Sequence, residues 1–193
     1  MARAQFDRNE IIDKAIELFW HNGFSGSSMQ QVVNTTGLKP GSIYLGFGNK
    51  EALFREALES YARKSMAQLH SILDTAPSVG EGICTILNGM VAESSRADYC
   101  SCFLIKTRLE LAAEKNELYH FASAKLGEVE ALFESYLKKE FNRKVSGRRA
   151  ASIMLHIFGI RVYGYKQGSA DRMREGLREG LPWLPWNTPD QSH

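Results

Sequence analysis

Hydroxyl, phenol and ammonium groups lie close together in one part of the sequence that carries no carboxylate. From Leu18 to Lys50 there is no Asp or Glu, although the chain has 22 acidic residues against 24 basic ones. Ser28 and Tyr44 offer O–H donors there, and Lys39 and Lys50 offer ammonium groups. Such groups donate to phosphate oxygens. The stretch therefore predicts a surface that binds a polyanion, whereas the net charge of +2 gives no such signal.

A second set of reactive groups is a pair of cysteines, Cys100 and Cys102. A thiol at the start of a helix can have a lowered pKa because the helix amides favour the thiolate, and Lys106 would add positive charge. The alternative is that both side chains are small buried hydrophobes. With Cys84 the chain has three cysteines, an odd number that favours free thiols and a reducing compartment, by default the cytoplasm. No metal site is expected, because Cys-x-Cys lacks a second ligand pair and His120 has no partner.

The composition is typical of a folded chain. Of its 193 residues, 44% are hydrophobic and 24% are charged, which is too apolar for a disordered protein. The length predicts one domain, or a small domain joined to a larger one. No run of about 18 apolar residues occurs, so no membrane span is expected. The polar N-terminus lacks the apolar core of a secretory signal.

The spacing of apolar residues predicts an all-α fold. Three- and four-residue spacing recurs, and no sustained alternation indicates a strand. Capping residues and glycines place four N-terminal helices, which are Asp7 to Asn22–Gly23, Ser28 to Thr36–Gly37, a short third helix opened by Pro40, and Lys50 to about Leu73 after the cap Asn49. Five further helices are expected at about 79–96, 101–114, 117–140, 147–167 and 169–180. Residues 141–149 are expected to form a basic turn with Ser146 as the next cap, and prolines predict extended chain after Leu181.

The first three helices have the order and lengths of a helix-turn-helix unit. A longer helix precedes two short ones joined at Gly37, and in such units one short helix enters the major groove of DNA. The third helix is the expected reader. Its first residues, Lys39, Pro40, Gly41 and Ser42, are small or polar and allow close approach to the groove.

The run VVNTTGLKPGSIYLGFGNKEALF resembles the DNA-binding signature of TetR-family transcriptional regulators. The resemblance covers roughly residues 7–60. It implies a helix-turn-helix DNA-binding domain at 1–48, a larger helical effector-binding and dimerisation domain at 49–181, and an extended tail at 182–193.

The resemblance also implies roles for particular side chains. Ser28, Tyr44 and Lys50 would bind the DNA backbone, and Lys39, Pro40, Gly41 and Ser42 would face base edges or the adjoining backbone. Gln30 would also bind DNA. Ile43, Phe47 and Val33 are expected in the core. Two positions depart from the family pattern. The family's third helix usually begins Ser-Lys-Gly, so Pro40 replaces a lysine and removes its cation and its backbone amide donor. Gly46 stands where an aromatic residue or His is common in the family.

The helix after residue 148 is apolar on nearly all sides and must be buried on most of them. By resemblance, it and the helix near 169–180 would form a four-helix interface in a homodimer, with monomer core as the alternative. A dimer suits a palindromic double-stranded operator with two half-sites. Tyr99, Phe103 and His156 are candidates for an effector cavity, together with Cys100, Cys102 and Lys106 as a redox or effector site, although such aromatic residues are usually plain core.

Taken together, the sequence predicts a DNA-binding transcriptional regulator. We expect a repressor released by a small-molecule effector or by cysteine modification, with no catalytic residues, cofactor or metal, and no membrane partner. A thiol-based redox enzyme using Cys100 and Cys102 is the alternative, and a helical interaction module without DNA binding is a third possibility.

Overall fold

The computed structural model describes residues 6–186, and all regular secondary structure in that range is helical. The all-α prediction is therefore confirmed. The described residues form nine helices: α1 (Arg8–Asn22), α2 (Met29–Thr36), α3 (Pro40–Phe47), α4 (Lys50–Thr75), α5 (Val79–Ser94), α6 (Phe103–Glu110), α7 (Glu117–Leu137), α8 (Arg143–Tyr163) and α9 (Ala170–Gly180).

Predicted capping residues begin α1 and α4. The Asp7 carboxylate accepts from the backbone amides of Asn9 and Glu10 at 2.9 and 3.4 Å. The Asn49 side chain accepts from the amide of Ala52 at 2.8 Å. Each cap satisfies amides that have no partner within the helix, which stabilises a helix end by about 1 kcal/mol.

The chain divides into two compact units. The first contains residues up to Ser65 together with Cys102–Leu126, and the second contains Met66–Ser101 together with the chain from Gly127 onward. The long helices α4 and α7 contribute to both. The functional domains expected from the sequence, at 1–48 and 49–181, stay a prediction.

Aromatic rings form the core of the first unit. The Phe54 ring contacts Phe19 and Phe103, with centroids 4.8 and 5.2 Å apart. Phe103 in turn packs edge-on against Tyr61 at 5.7 Å. All three phenylalanines are fully buried. This cluster joins α1, α4 and α6.

In the second unit, α8 begins four residues earlier than expected. Asn142 caps it by accepting from the amide of Val145 at 3.0 Å. Ser146, the expected cap, is buried inside the helix, and its hydroxyl donates to carbonyls at the helix start. The basic residues expected in a turn therefore lie on the first turns of a helix, because Asn142 supplies an earlier cap.

Residues 182–184 form a turn and a bend where the prolines predict extended chain, and residues 185–186 have no regular secondary structure. The Arg149 guanidinium lies between the rings of Phe141 and Trp183, 3.9 and 4.1 Å from their centroids. Leu184 is buried. This stacking and burial hold the segment against its unit, and the remainder of the predicted tail lies outside the described residues.

Within residues 6–186, no helix is both long and apolar enough to cross a membrane.

The burial of Cys84 on α5 leads to a prediction about thiol reactivity. Burial and the nearby charge of Glu81 raise the pKa of this thiol to about 11. Since the thiolate is the nucleophile, alkylation of Cys84 in the folded protein at pH 8 should be about 100-fold slower than in the unfolded chain. Peptide mass spectrometry after timed iodoacetamide treatment measures this. Equal rates in the folded and unfolded chain would contradict the assignment.

Candidate nucleic-acid interface

The turn from α1 into α2 ends at a complete capping box. The Ser28 hydroxyl oxygen accepts from the amide of Gln31 at 3.2 Å, and the Gln31 side chain accepts from the amide of Ser28 at 2.7 Å. Ser28 and Gln30 are both exposed. The hydroxyl hydrogen of Ser28 stays available for a phosphate at this helix N-terminus, where backbone amides and the helix dipole favour an anion.

Gly37 ends α2 and directs the chain into α3. Its φ of 72° lies in the left-handed region, which glycine adopts without strain, and its amide donates to Val33. Lys39 is the extended residue before α3, and Pro40 is the first residue of the helix, as the sequence predicted. The glycine turn at Gly37 and the helix start at Pro40 thus set the direction of the chain from α2 into α3.

One face of α3 is buried and the opposite face is exposed. Ile43 and Phe47 point into the core, as expected, whereas Tyr44 is 53% exposed. Lys39, Pro40 and Gly41 are exposed and Ser42 is half-buried. The residues predicted to meet DNA on α3 therefore share the side of the helix that faces away from the core.

Two N-terminal side chains that the sequence analysis did not identify hold the end of α3. The Arg8 guanidinium donates to the Gly46 carbonyl at 2.8 Å and forms an ion pair with Glu56. The Phe6 ring stacks on Phe47 with centroids 5.9 Å apart. A Cβ on Gly46 would lie 2.7 Å from Phe6, so glycine at this position permits the packing. No local pattern links residues 38 positions apart, which is why the sequence did not reveal the contact.

Lys50 lies at the start of α4, but its ammonium is directed into the protein. It donates to the carbonyls of Phe24 and Ser27, each at 2.8 Å, and lies 4.2 Å from the centroid of the Phe24 ring. An ammonium group has three donors. Two of them hold the α1–α2 turn, so the expected phosphate contact of Lys50 stays a prediction that can use only the third.

The helix α6 also holds the α1–α2 turn. The Glu110 carboxylate accepts from the amides of Phe24 and Ser25 at 3.1 and 2.8 Å. The Lys106 ammonium donates to carbonyls of Trp20 and His21 at the end of α1. A cation on the last carbonyls and an anion on free amides each match the local backbone dipole. Glu110 was missed by the sequence analysis, because a Lys and a Glu four residues apart usually form a solvent-exposed pair.

The candidate effector and redox residues fall in both units. Cys102 is the N-cap residue of α6 and lies in the first unit with Lys106 and the buried Phe103. Cys100 and Tyr99 belong to the second unit, where the Tyr99 hydroxyl donates to a carbonyl of α8. Both Cys100 and Cys102 are of intermediate exposure. Their role in sensing stays a prediction.

The remaining candidate, His156, lines an open cleft between α8 and α9. Its Nδ1 lies 2.8 Å from the Ser152 carbonyl, so Nδ1 carries the hydrogen. The cleft is otherwise mostly apolar, and its lining also includes Leu155, Gly159, Ile160, Tyr163, Arg172, Met173, Gly176 and Leu177. Within residues 6–186, no three His, Cys, Asp or Glu side chains lie close enough to hold a metal ion.

The burial predicted for α8 is incomplete within a single chain. Leu155 and Val162 are 73% and 56% exposed, although other apolar side chains of the helix are buried against its own unit. These two side chains do not fit the alternative of plain monomer core, and burial in a dimer stays a prediction. An apolar face remains on this helix beside the cleft.

The contacts of Lys50 predict the effect of removing its charge. Lys50→Met leaves two carbonyls of the α1–α2 turn without their donor, so the free energy of unfolding should fall by about 2 kcal/mol. Lys64→Met, which removes a lysine from an exposed ion pair on the same helix, is the matched control and should change stability little. Urea unfolding followed by tryptophan fluorescence measures both. Equal stabilities of the two variants would contradict the assigned role.

Comparison with known proteins relates this region to a family. A sequence profile for bacterial regulatory proteins of the tetR family matches residues 11–57, which span most of α1, all of α2 and α3, and the start of α4. The transcriptional repressor ComR of Escherichia coli is 32% identical over 118 residues, which cover 58% of this chain and 55% of ComR. The chain thus matches about half the length of that relative.

Two further similarities extend along most of the chain. The transcriptional repressor AcnR of Corynebacterium efficiens is 25% identical over 177 residues, which cover 90% of this chain and 86% of AcnR. A cysteine variant of the TetR-family regulator CifR, solved with a 26-bp double-strand operator DNA, has a TM-score of 0.78 and 26% identity over 96% of this chain and 100% of the CifR chain. Residues 11–57 thus match the tetR family of bacterial regulatory proteins, and most of the chain is similar to AcnR in sequence and to CifR in fold.

Proposed function

We propose that the protein is a sequence-specific DNA-binding transcriptional repressor that acts as a homodimer on a palindromic operator in the cytoplasm. The observation that carries the proposal is the exposed side of α3, formed by Pro40, Gly41 and Tyr44 on a helix whose C-terminal end is held by Arg8. It lies in a stretch of sequence without carboxylates. Repression is favoured because relatives such as ComR and AcnR are named repressors.

The backbone contacts proposed for this surface use few charges. Ser28 and the free amides at the start of α2 are suited to one phosphate, and the Tyr44 phenol to another. Lys39 is the exposed cation beside α3. Because Lys50 uses two of its donors internally, most of the proposed phosphate contacts are neutral hydrogen bonds.

The proposed dimer uses α8 and α9. Leu155 and Val162 leave an apolar face in water that a second copy of the same face would cover. Twofold symmetry would then present two α3 helices to two half-sites of a palindrome. The match to the tetR family and this face favour a regulator over the thiol-based redox enzyme that the sequence left open.

Release from DNA is proposed to act through α6. Cys102 is the N-cap of this helix, and Lys106 and Glu110 on the same helix hold the end of α1 and the α1–α2 turn. Modification of Cys102, or an effector bound beside α6, would shift these contacts and with them α2 and α3. The state with these contacts intact would bind DNA more tightly than the state in which they have shifted. A change in the populations of the two states would then give binding or release.

The proposed DNA contacts predict two distinct mutant phenotypes. Tyr44→Phe removes a phosphate hydrogen bond and should weaken binding about tenfold to specific and unrelated duplexes alike. Lys39→Ala should reduce the slope of log affinity against log salt by about one per contact, therefore about two in a dimer. Fluorescence anisotropy with the gene's own upstream DNA, across a range of salt concentrations, measures both.

The control for these variants is Tyr165→Phe, which alters a similarly exposed phenol in the other unit. It should bind DNA as the unaltered protein does, with nanomolar affinity. Unaltered binding by both Tyr44→Phe and Lys39→Ala would contradict the proposed contacts.

The dimer proposal predicts that a charge on the exposed face of α8 separates the subunits. Leu155→Glu and Val162→Glu should each convert a micromolar dimer into a monomer, because an unpaired carboxylate would be buried in the interface. Leu109→Glu, at an exposed leucine of α6, is the matched control and should stay dimeric. Sedimentation equilibrium gives the masses. A monomeric unaltered protein at concentrations that bind DNA would refute the dimer.

A further inference from the structure

The exposed surface of α3 lacks the side chains that usually hydrogen-bond to base edges. Its sequence is PGSIYLGF, without Arg, Lys, Asn, Gln, Asp, Glu or His. Specific contacts to guanine use Arg or Lys, contacts to adenine use Asn or Gln, and contacts to cytosine use Glu or Asp. A helix of this composition can read bases only through its hydroxyl groups and apolar contacts.

Two amide side chains of the neighbouring helix α2 already have partners. The Gln31 side chain accepts from the Ser28 amide at 2.7 Å, as part of the capping box. The Gln30 side chain donates to the Asn34 side chain at 3.0 Å. Each of these amides thus has one of its groups engaged within α2 and its cap. On α3 itself, base recognition depends on the hydroxyl groups and the apolar surface.

Leu45 is the most prominent apolar group on that surface. Its side chain is 71% exposed, more than that of Tyr44 beside it. Gly41 lies one turn before Leu45, and apart from its chain neighbours and the helix backbone no atom lies within 4 Å of a Cβ position on this glycine. Another molecule can therefore approach the helix closely beside Leu45.

We infer that Leu45 is a specificity-determining residue that packs on the C5 methyl group of a thymine in each operator half-site. The inference rests on the proposed DNA-binding function. Of the groups that bases present in the major groove, the thymine methyl is the apolar one. Burial of Leu45 against it removes both groups from water, and no other base offers the same gain. The operator therefore has an A·T pair at the position beneath Leu45.

The test compares thymine with deoxyuridine, which lacks only the C5 methyl group. A tight-binding duplex is first selected in vitro from a randomised pool, and the same sequence is then made with deoxyuridine in place of thymidine. The ratio of the two affinities is measured for the unaltered protein, Leu45→Ala and the matched control Leu109→Ala. Leu109 is an exposed leucine on α6 of the same unit.

A buried methyl group changes affinity about fourfold, so two half-sites give a coupling of about 15-fold. We expect the thymine preference of the unaltered protein and Leu109→Ala to exceed that of Leu45→Ala by this factor. Selection with Leu45→Ala should also lose one preferred thymine per half-site. Equal ratios for Leu45→Ala and the unaltered protein, with selective binding retained, would overturn the inference alone. Failure of the unaltered protein to select any sequence would overturn the proposed function as well.

Discussion

The arrangement of the helix-turn-helix depends on satisfying the backbone polar groups of the turn between α1 and α2. The turn exposes carbonyls and amides that no helix pairs, and charged side chains from two other helices bind them. Lys50 of α4 donates to the carbonyls of Phe24 and Ser27, and Glu110 of α6 accepts from the amides of Phe24 and Ser25. Because Ser28 begins α2 directly after this turn, the direction of α2, and then of α3, follows from these bonds.

Because these charged side chains bind groups inside the unit, few charges remain on the surface proposed to bind DNA. With Lys50 engaged by carbonyls and Arg8 engaged by Gly46 and Glu56, the exposed side of α3 is almost uncharged. Affinity for phosphate would then come from hydroxyls, amides and Lys39, and base recognition from shape and apolar contact. A surface of this kind predicts weaker salt dependence and stronger dependence on thymine methyls than an arginine-rich reading helix has.

Local patterns in the sequence predicted the helices and the exposed side of α3, because caps, Gly37 and apolar spacing act over a few residues. Contacts between distant residues could not be predicted in this way. The bonds of Arg8 to Gly46 and of Glu110 to Ser25 join residues 38 and 85 positions apart. Lys50 was assigned to phosphate because a lysine at a helix start is suited to that role, but its carbonyl partners lie in a turn whose position the sequence does not specify.

Hydrogen–deuterium exchange with and without a selected operator duplex tests most directly whether the uncharged side of α3 is the DNA-binding surface. The account predicts that the duplex slows exchange of the amides at the start of α2 and along α3, while a scrambled duplex at equal concentration does not. Protection confined to the basic first turns of α8, with α2 and α3 unchanged, would contradict it.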